Sequence, residues 1–359
     1  MFGIEERLLV SAREMKDRAA LLESRGLSAP GNEDVILGFF DGERLVATGS
    51  LVGNILQGIA VDREMEGEGM AATVTSALLR KAMDRGLEQL FLYSKPDEAK
   101  RFEALGFSSL ATVTVERSGL GASLLEWGGR GIGKWRDETA KKTADCPEGA
   151  GAVVVNCNPF TMGHRSLIEY ASARTPWLHV LVVEEDRSLF PFEIRFRLVQ
   201  EGASDLPNVT VLPGGPYVIS SATFPTYFTR IKAEEGERIT ELYAALDLEL
   251  FGRYVAPALR VRDRFVGTEP YCPVTSIYNR MMRERLMRGG DGWIPVKVHE
   301  MPRFELDGHP VSASRVRALI REGSLDDVRP LVPESTWKWL VSGDAVPVIE
   351  KIRSSESRH

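Results

Sequence analysis

Cysteine, histidine and long apolar runs are scarce in this chain of 359 residues, and each scarcity excludes a class of protein. The three cysteines, Cys146, Cys157 and Cys272, are widely spaced and odd in number, which argues against a disulfide framework or a structural zinc site. No apolar run approaches the roughly 20 residues of a membrane span, and charged residues stand near the N-terminus, where a secretory signal would be apolar. We therefore expect a cytoplasmic protein without a membrane partner.

Positive charge is not in excess either. The chain has 45 Lys and Arg against 51 Asp and Glu, a net charge of −6, whereas nucleic-acid-binding domains usually carry a basic patch. We therefore expect no nucleic-acid partner. His299 and His309 share no metal-ligand spacing with His164, so we expect no metal held by the protein alone.

The composition is typical of globular domains, with 43% hydrophobic and 27% charged residues. The length allows about two domains of about 150 residues each. A stretch rich in glycine and charge separates two segments of ordinary composition, and such stretches mark domain boundaries. The predicted organisation is a first domain at 1–130, a linker at 131–150, a second domain at 151–345 and a tail at 346–359.

Apolar periodicity predicts the α/β class, with an α+β first domain and a Rossmann-like second domain. In the first domain, strands are predicted at 34–40, 44–51, 57–61, 90–93 and 112–115, and helices at 70–85 and 97–105. In the second, strands are predicted at 152–156, 177–183, 208–212, 264–267 and 294–299, and helices at 163–174, 192–203, 223–233, 238–250, 274–287 and 312–322. This alternation predicts a parallel sheet covered by helices, with ligands beyond the carboxyl ends of its strands.

The stretch 156–164 is the most informative part of the sequence. It joins the apolar run 152–155 to an amphipathic helix, whose first N–H groups are unpaired and whose dipole favours an anion such as a phosphate. His164, at the mouth of that helix, is a candidate catalytic donor to an oxyanion, and Thr161 is a second catalytic candidate. The candidate nucleotide-binding residues of the stretch are Asn156, Asn158, Pro159, Phe160 and Gly163.

A second stretch, 311–317, offers the partner site that a triphosphate needs. Ser312 has the residue type of a helix N-cap, Ser314 adds a hydroxyl, and Arg315 and Arg317 add fixed positive charge. Alone, the stretch could be a capped helix with surface arginines; paired with the first stretch, it is interpreted as a nucleotide site. Arg317 is a catalytic candidate, and the other three are nucleotide-binding candidates.

A third stretch, 265–271, ends a predicted strand. Gly267 would let the backbone approach a base or ribose closely. A simple turn before a helix is the alternative interpretation. We predict that Gly267 and Glu269 contact the nucleotide.

The first stretch resembles the (His/Thr)-x-Gly-His signature of nucleotidyltransferases, and the second resembles their Ile-Ser-Ser-Thr-x-x-Arg signature. The resemblance implies that ATP binds with Mg²⁺, that an oxygen nucleophile attacks the α-phosphorus and that pyrophosphate leaves. His164 would then stabilise charge on the reacting phosphate. Thr161 stands where many of these enzymes carry His. The residues themselves do not distinguish ATP from CTP.

In the first domain, residues 61–71 resemble motif A of the GNAT acyltransferases, whose backbone amides at a helix start bind the pyrophosphate of coenzyme A. Residues 101–107 resemble the aromatic-x-x-x-Gly-Phe ending of that family. The resemblance implies a GNAT-like domain that holds an acyl-carrier arm. The residues predicted to hold this arm are Val61, Gly67, Gly69 and Met70. Glu64 stands where the family has Gln or Arg, and two further glutamates follow it, so the loop should repel a pyrophosphate.

The pairing of these two domains resembles the citrate lyase ligase family. The segments that carry the resemblance are 94–96, 102–107, 156–164, 184–192, 219–228, 266–271 and 312–317. It implies that acetate attacks ATP to form acetyl-adenylate, and that the acetyl group passes to a thiol on the acyl-carrier subunit of citrate lyase with release of AMP. Within 219–228, Ser221, Thr223 and Phe224 are predicted to line the acetate pocket; a packed loop is the alternative.

Three other functions stay open. The same motifs serve a nucleotidyltransferase that acts on a phosphorylated acceptor, such as phosphopantetheine or nicotinamide mononucleotide. A nucleotide-binding protein with vestigial catalysis would bind ATP without turnover. A stand-alone acetyltransferase is the third, and the glutamate at 64 argues against it.

Overall fold

The computed structural model describes residues 3–29, 31–129, 131–225 and 234–355. The chain folds into two compact units. The first comprises the chain up to Thr114 together with Gly121–Gly133, and the second comprises Val115–Leu120 together with the chain from Lys134 onward. Among the described helices, none combines the length and the apolarity that a membrane crossing requires.

The first unit is built on a mixed seven-stranded sheet of order β1-β2-β3-β4-β5-β7-β6. Its elements are β1 (Ile4–Leu8), α1 (Ala12–Ser24), β2 (Val35–Asp41), β3 (Arg44–Val52), β4 (Ile55–Val61), α2 (Met70–Asp84), β5 (Gln89–Ser94), α3 (Ala99–Glu103), β6 (Ser108–Val115) and β7 (Leu120–Gly128). The helix α2 lies directly on β3, because Gly49 leaves room there: a β-carbon at that position would lie 2.5 Å from Val74. The elements β1, α1 and β7 were not predicted from the sequence.

The strands β4 and β5 run parallel but pair only where the first two residues of β4 face the middle of β5. The paired positions are Ile55 with Phe91 and Leu56 with Leu92, although β4 continues to Val61. The carboxyl-terminal halves of the two strands therefore part.

The second unit contains a five-stranded sheet of order β10-β9-β8-β11-β12, in which every neighbouring pair is parallel. Its elements are α4 (Ile132–Lys142), β8 (Ala150–Val155), α5 (Met162–Ser172), β9 (Leu178–Val182), α6 (Phe192–Gly202), β10 (Val209–Pro213), α7 (Glu234–Leu250), α8 (Ala256–Ala258), β11 (Val261–Gly267), α9 (Pro273–Leu286), β12 (Lys297–Met301), β13 (Glu305–Leu306), β14 (His309–Pro310), α10 (Ala313–Glu322), α11 (Glu334–Leu340) and α12 (Val346–Ser354). The predicted α/β class with a parallel sheet is confirmed.

The strand order changes direction at β8. From β8 the chain builds outward to β9 and β10, then returns to the other side of β8 for β11 and β12. Ligands of such sheets sit at this switch point, beyond the carboxyl ends of the two diverging strands. Those ends are Val155 of β8, which precedes the first stretch singled out in the sequence, and Gly267 of β11, which lies within the third.

Two predicted boundaries differ from the structure. The segment 131–150, predicted as a linker, contains the helix α4. The segment 346–359, predicted as a tail, begins with α12, whose Val348 and Ile352 are buried in the same core as Val153 of the sheet. Two apolar residues four positions apart fit one face of a helix, and this spacing was the signal that the sequence reading overlooked.

Other predicted elements fall on residues that are not described. Residues 226–233, most of the predicted helix 223–233, lie outside the described part of the chain, as do residues 356–359. The strand predicted at 294–299 begins later, as β12 at Lys297.

Candidate functional site

The stretch 156–164 leaves β8 and enters α5 through an anchored loop. The Asn158–Pro159 peptide bond is cis, and Cys157 has a positive φ of 52°. Phe160 is wholly buried, and its carbonyl accepts a hydrogen bond from the Thr336 hydroxyl at 3.0 Å. Cys157 is also buried, and burial raises the pKa of its thiol above the ordinary range. The loop is thus held by core packing at the point where it approaches the switch point.

His164 and Thr161 form a local capping arrangement at the start of α5. Nδ1 of His164 accepts the backbone N–H of Thr161 at 3.1 Å and lies 2.9 Å from its hydroxyl. Because a backbone N–H can only donate, Nδ1 is the acceptor and the ring proton is on Nε2. Burial, with the positive charge of Arg303 as a smaller cause, lowers the pKa of His164 to about 4. At neutral pH the side chain is a neutral Nε2–H donor.

The first and second stretches meet at Gly163. A β-carbon on Gly163 would lie 2.7 Å from the carbonyl oxygen of Val311, so the start of α5 lies directly against the segment that leads into α10. Ser312 is the N-cap of α10, and its Oγ accepts the N–H of Arg315 at 3.2 Å. Ser314 is exposed, with its Oγ 3.0 Å from that of Ser312. The N-termini of α5 and α10 are therefore neighbours.

Arg317 reaches back from α10 to the loop of the first stretch. Its side chain is buried, and Nη1 donates to the carbonyl oxygen of Asn158. Burial, and to a lesser degree the charge of Arg321, lowers the pKa of Arg317 to about 10. The guanidinium is still charged at neutral pH, and it fixes the loop that precedes His164.

Two polar groups of this region have no hydrogen-bond partner among the described residues. They are Nδ2 of Asn158, a residue that is 4% exposed, and Nη1 of Arg315. Buried donors without partners are costly. Both groups are donors, which suits a ligand rich in acceptor oxygens.

The third stretch is tied to an arginine that the sequence reading did not single out. The side chain of Arg303 donates through Nε to the carbonyl of Thr268 at 3.0 Å and through Nη2 to the carboxylate of Glu269. Glu269 also accepts the N–H groups of Tyr271 at 2.9 Å and Cys272 at 3.1 Å. Glu269 was predicted to contact a nucleotide, yet its carboxylate is engaged by the protein.

Asn156, at the carboxyl end of β8, is held by a buried arginine of α6. Arg195 donates to the Asn156 side-chain oxygen at 3.0 Å, and Ser188 hydrogen-bonds the same side chain. Arg195 also donates to four backbone carbonyls, those of Asn156 (2.9 Å), Val183 (2.6 Å), Glu185 (3.0 Å) and Phe190 (3.0 Å). It thus joins the carboxyl ends of β8 and β9. Its place on the buried face of α6, three and four residues before Leu198 and Val199, was the available sequence signal.

The predicted acetate pocket is only partly open to a ligand. Phe224 is wholly buried and stacks on Tyr278 with ring centroids 5.1 Å apart. Thr223 is also wholly buried. Ser221 differs: its N–H donates to Glu185 at 2.6 Å, while its buried Oγ has no partner among the described residues. Residues 226–228 of the same predicted segment lie outside the described residues.

Asp247 of α7 fixes the backbone of this segment. It accepts the N–H of Ile219 at 2.8 Å, the Thr223 hydroxyl at 2.7 Å and the Tyr278 hydroxyl at 2.6 Å. Ile219 has a positive φ of 48°, which is rare for a β-branched residue. Burial raises the pKa of Asp247 against the opposing effect of these hydrogen bonds. A buried carboxylate therefore holds a strained turn next to Ser221.

In the first unit, the predicted arm-binding residues surround the start of α2. Gly67 and Gly69 have positive φ values of 88° and 75°, and Gly69 is an N-cap without a side-chain cap. Met70 is buried in the core, so only its backbone could face a ligand. The negative charge expected in this loop is partly neutralised: Glu64 pairs with Arg44 at 2.5 Å, and Glu66 is paired with Arg25.

Two further histidines of the second unit, His179 and His299, occupy structural positions. His179 is wholly buried within β9, and burial lowers its pKa to about 4. His299 lies 2.6 Å from Asp263 and stacks on Phe265. Within the described ranges, no group of three or more His, Cys, Asp or Glu is placed to hold a metal ion.

Comparison with known proteins gives matches to both parts of the chain. The family model of the citrate lyase ligase C-terminal domain matches residues 150–340. Solved structures similar to this chain include a putative GNAT acetyltransferase from Desulfovibrio desulfuricans, with 12% identity, 35% of this chain and 99% of that chain covered, and a TM-score of 0.30. Another is the ribosomal-protein-S18-alanine N-acetyltransferase from Escherichia coli, with 14% identity, coverages of 36% and 96%, and a TM-score of 0.30.

Curated relatives match almost the whole length. The [citrate [pro-3S]-lyase] ligase of Escherichia coli (strain K12) is 38% identical over 328 residues, which cover 91% of this chain and 90% of the relative. The enzyme of the same name from Klebsiella pneumoniae is 40% identical over 299 residues, covering 83% and 84%. At this identity and coverage, the chain belongs to the citrate lyase ligase family, whose members are ligases.

Proposed function

We propose that this protein activates acetate with ATP and transfers the acetyl group to a thiol on the acyl-carrier subunit of citrate lyase. The names of its relatives support the acceptor, since they are ligases of citrate lyase. The observation that carries the chemistry is the contact between Gly163 and Val311, which brings two helix N-termini together beside His164. Such N-termini favour phosphate oxygens.

In the first step, a carboxylate oxygen of acetate attacks the α-phosphorus of ATP. A bond forms between that oxygen and the α-phosphorus. The bond between the α-phosphorus and the oxygen that bridges it to the β-phosphorus breaks, and pyrophosphate leaves with the electron pair. Catalysis of such a step depends on positioning and charge stabilisation. The neutral Nε2–H of His164 donates to an oxygen of the α-phosphate as its charge grows, without giving up a proton.

The remaining groups suit the rest of the polyphosphate. Arg315 offers a buried Nη1 without a partner among the described residues, Asn158 offers its Nδ2, and Ser314 offers an exposed hydroxyl. All three can donate to phosphate oxygens. The described residues supply donors rather than an acidic cluster, so they fit Mg²⁺ that arrives on the phosphates, where it neutralises charge.

In the second step, the carrier thiol attacks the acetyl carbonyl. A carbon–sulfur bond forms, the bond between the acyl carbon and the phosphate oxygen breaks, AMP leaves, and the thiol proton is released. The start of α2, where the N-cap Gly69 has no side-chain cap, suits the pyrophosphate of a pantetheine-type arm, because the first N–H groups of a helix lack intrahelical partners. We assign this arm to the first unit.

Acetate-dependent exchange of labelled pyrophosphate into ATP tests the first step directly. Wild-type protein should catalyse the exchange, and His164→Ala should slow it about 10²–10³-fold, the cost of one lost oxyanion donor. His309→Ala, which changes an exposed histidine of β14, is the matched control and should leave the rate unchanged. No exchange with acetate or other small carboxylates would reject acid activation and favour a phosphorylated acceptor, which the same two helix N-termini would also suit.

A further inference from the structure

We propose that Arg303 is a further phosphate-binding residue of this site and that Glu269 is a positioning residue that holds it there. The inference rests on the proposed ATP site and adds a cation to it. It also changes the role of Glu269, which the sequence predicted as a nucleotide contact.

The guanidinium of Arg303 is fixed on one side and open on the other. Nε donates to the carbonyl of Thr268 and Nη2 to Glu269, while the guanidinium lies 5.3 Å from the ring centre of Tyr271. Nη1 makes no hydrogen bond among the described residues, and the side chain is 23% exposed. Because the guanidinium is planar, holding it through Nε and Nη2 also fixes the direction in which Nη1 points. A donor held in a fixed direction suits a phosphate oxygen.

The backbone around Arg303 places it at the switch point. Thr268, its first partner, follows the carboxyl end of β11, and β11 lies beside β8. On its other side, Phe304 accepts the N–H of Val311 at 3.0 Å, and the carbonyl of Val311 lies against Gly163 at the start of α5. Arg303 is thus the sequence neighbour of Phe304, whose carbonyl holds Val311 against the N-terminus of α5.

The electrostatics agree with this placement. The charge of Arg303 is one of the two causes that lower the pKa of His164, so the two side chains are close enough to interact. A positive charge that disfavours a protonated His164 also favours an anion at the same place. Arg303 would therefore add to the effect of burial, which keeps His164 a neutral donor, and would attract the phosphate that accepts the hydrogen bond of His164.

Glu269 has the contacts of a positioning residue. Its carboxylate is 14% exposed, accepts two backbone N–H groups and pairs with Arg303. These bonds fix the carboxylate to the turn that follows β11. The ion pair then fixes Arg303 through Nη2. A bound phosphate would contact Nη1 of the same guanidinium and would leave the ion pair with Glu269 in place.

Binding of ATP without acetate, measured by titration calorimetry, tests the proposal separately from catalysis. Arg303→Gln should weaken ATP binding about tenfold or more, since a charge-assisted hydrogen bond is lost. Arg303→Lys, which keeps the charge but not the fork, should fall between Arg303→Gln and wild type. Glu269→Gln should weaken binding less than Arg303→Gln, because the arginine is still present but less fixed.

The matched control is Arg283→Gln, which breaks an ion pair with Glu300 of β12 outside the site. Nuclear magnetic resonance of the histidine rings adds a second measurement: the pKa of His164 should rise in Arg303→Gln and not in Arg283→Gln. ATP affinity within twofold of wild type in Arg303→Gln would overturn the proposal; if that variant does not fold, unchanged affinity in Arg303→Lys would do so. Wild-type protein that binds ATP but exchanges no pyrophosphate would instead count against the proposed function alone.

Discussion

Nδ1 of His164 accepts the backbone N–H of Thr161 at 3.1 Å, which leaves the ring with its proton on Nε2. The pKa of the folded ring is about 4, below its ordinary 6.5. Between these values His164 binds a proton in the unfolded chain but not in the folded chain, so its contribution to the free energy of unfolding rises with pH across that window and is lost again on acidification. His179 adds a change of the same sign.

Urea unfolding across this pH window measures the effect. His164→Asn removes one of the two contributing rings, and its unfolding free energy should depend on pH less steeply than that of wild type. Equal slopes in the two proteins would show that His164 does not carry the shift.

Gly163→Ala should move α5 away from the segment before α10. A β-carbon there would lie 2.7 Å from the Val311 carbonyl oxygen, and forcing extra atoms into packed structure costs about 1–3 kcal/mol. We expect a fall in both thermal stability and pyrophosphate exchange. Gly133→Ala is the control, because a β-carbon at Gly133 meets no atom within 4 Å. Exchange at the wild-type rate in Gly163→Ala would contradict the assigned contact between the two helix N-termini.

Arg195→Met should be among the most destabilising single changes in the second unit. The substitution leaves four backbone carbonyls without their donor, and we expect a loss of about 3 kcal/mol or more in the free energy of unfolding. Arg197→Met, on the same helix but 47% exposed, should change it by less than about 0.5 kcal/mol. Similar small losses in both variants, measured by urea unfolding, would reject the anchoring role of Arg195.

Ser221→Ala tests the predicted acetate pocket. The Ser221 Oγ is buried without a partner among the described residues, so its removal should not lower stability. If the hydroxyl binds the carboxylate, the KM for acetate should rise roughly fivefold, the equivalent of about 1 kcal/mol, while the KM for ATP stays constant. Ser204→Ala, which changes an exposed serine, is the control. An unchanged KM for acetate would remove Ser221 from the pocket.

Gly67→Asp separates the two proposed steps. A carboxylate at the start of α2 would repel a pyrophosphate-bearing arm, so transfer of the acetyl group to the carrier should slow about tenfold, the equivalent of about 1.4 kcal/mol. Pyrophosphate exchange should be spared. Gly67→Ala imposes the same strain at a φ of 88° without the charge, and it should transfer faster than Gly67→Asp. Equal loss of exchange and transfer would refute the division of labour between the units.

The sequence predicted the parts of the second unit that local pattern determines. The alternation of apolar strands and amphipathic helices predicts the parallel sheet, and the structure places the stretches 156–164 and 311–317 against each other where Gly163 meets the carbonyl of Val311. In the first unit, β1 was missed because its pattern is weak, since it has no buried residue. The helix α1 was missed although Ser11 and Glu14 form a capping box at its start.

The roles of Arg195, Asp247 and Arg303 could not be predicted from the sequence, because most of their hydrogen-bond partners lie far away along the chain. Arg195 bonds residues up to 39 positions away, and Asp247 bonds residues 24 to 31 positions away. Neither has a local motif, because both act mainly on backbone groups or on side chains of other elements. Arg303 is similar: its partners Thr268 and Glu269 belong to a different strand end.

The burial of Cys157 has a consequence for the acyl-adenylate that the proposed reaction would form. A thiol on the enzyme itself, two residues from Pro159, would compete with the carrier for an acyl-adenylate and would end in a dead acetylated enzyme. Its side chain is 1% exposed in the core, and burial disfavours the nucleophilic thiolate by raising the pKa. In the proposed reaction, the loop would thus keep its own sulfur out of reach of the mixed anhydride, and the energy of that bond would stay available for the carrier.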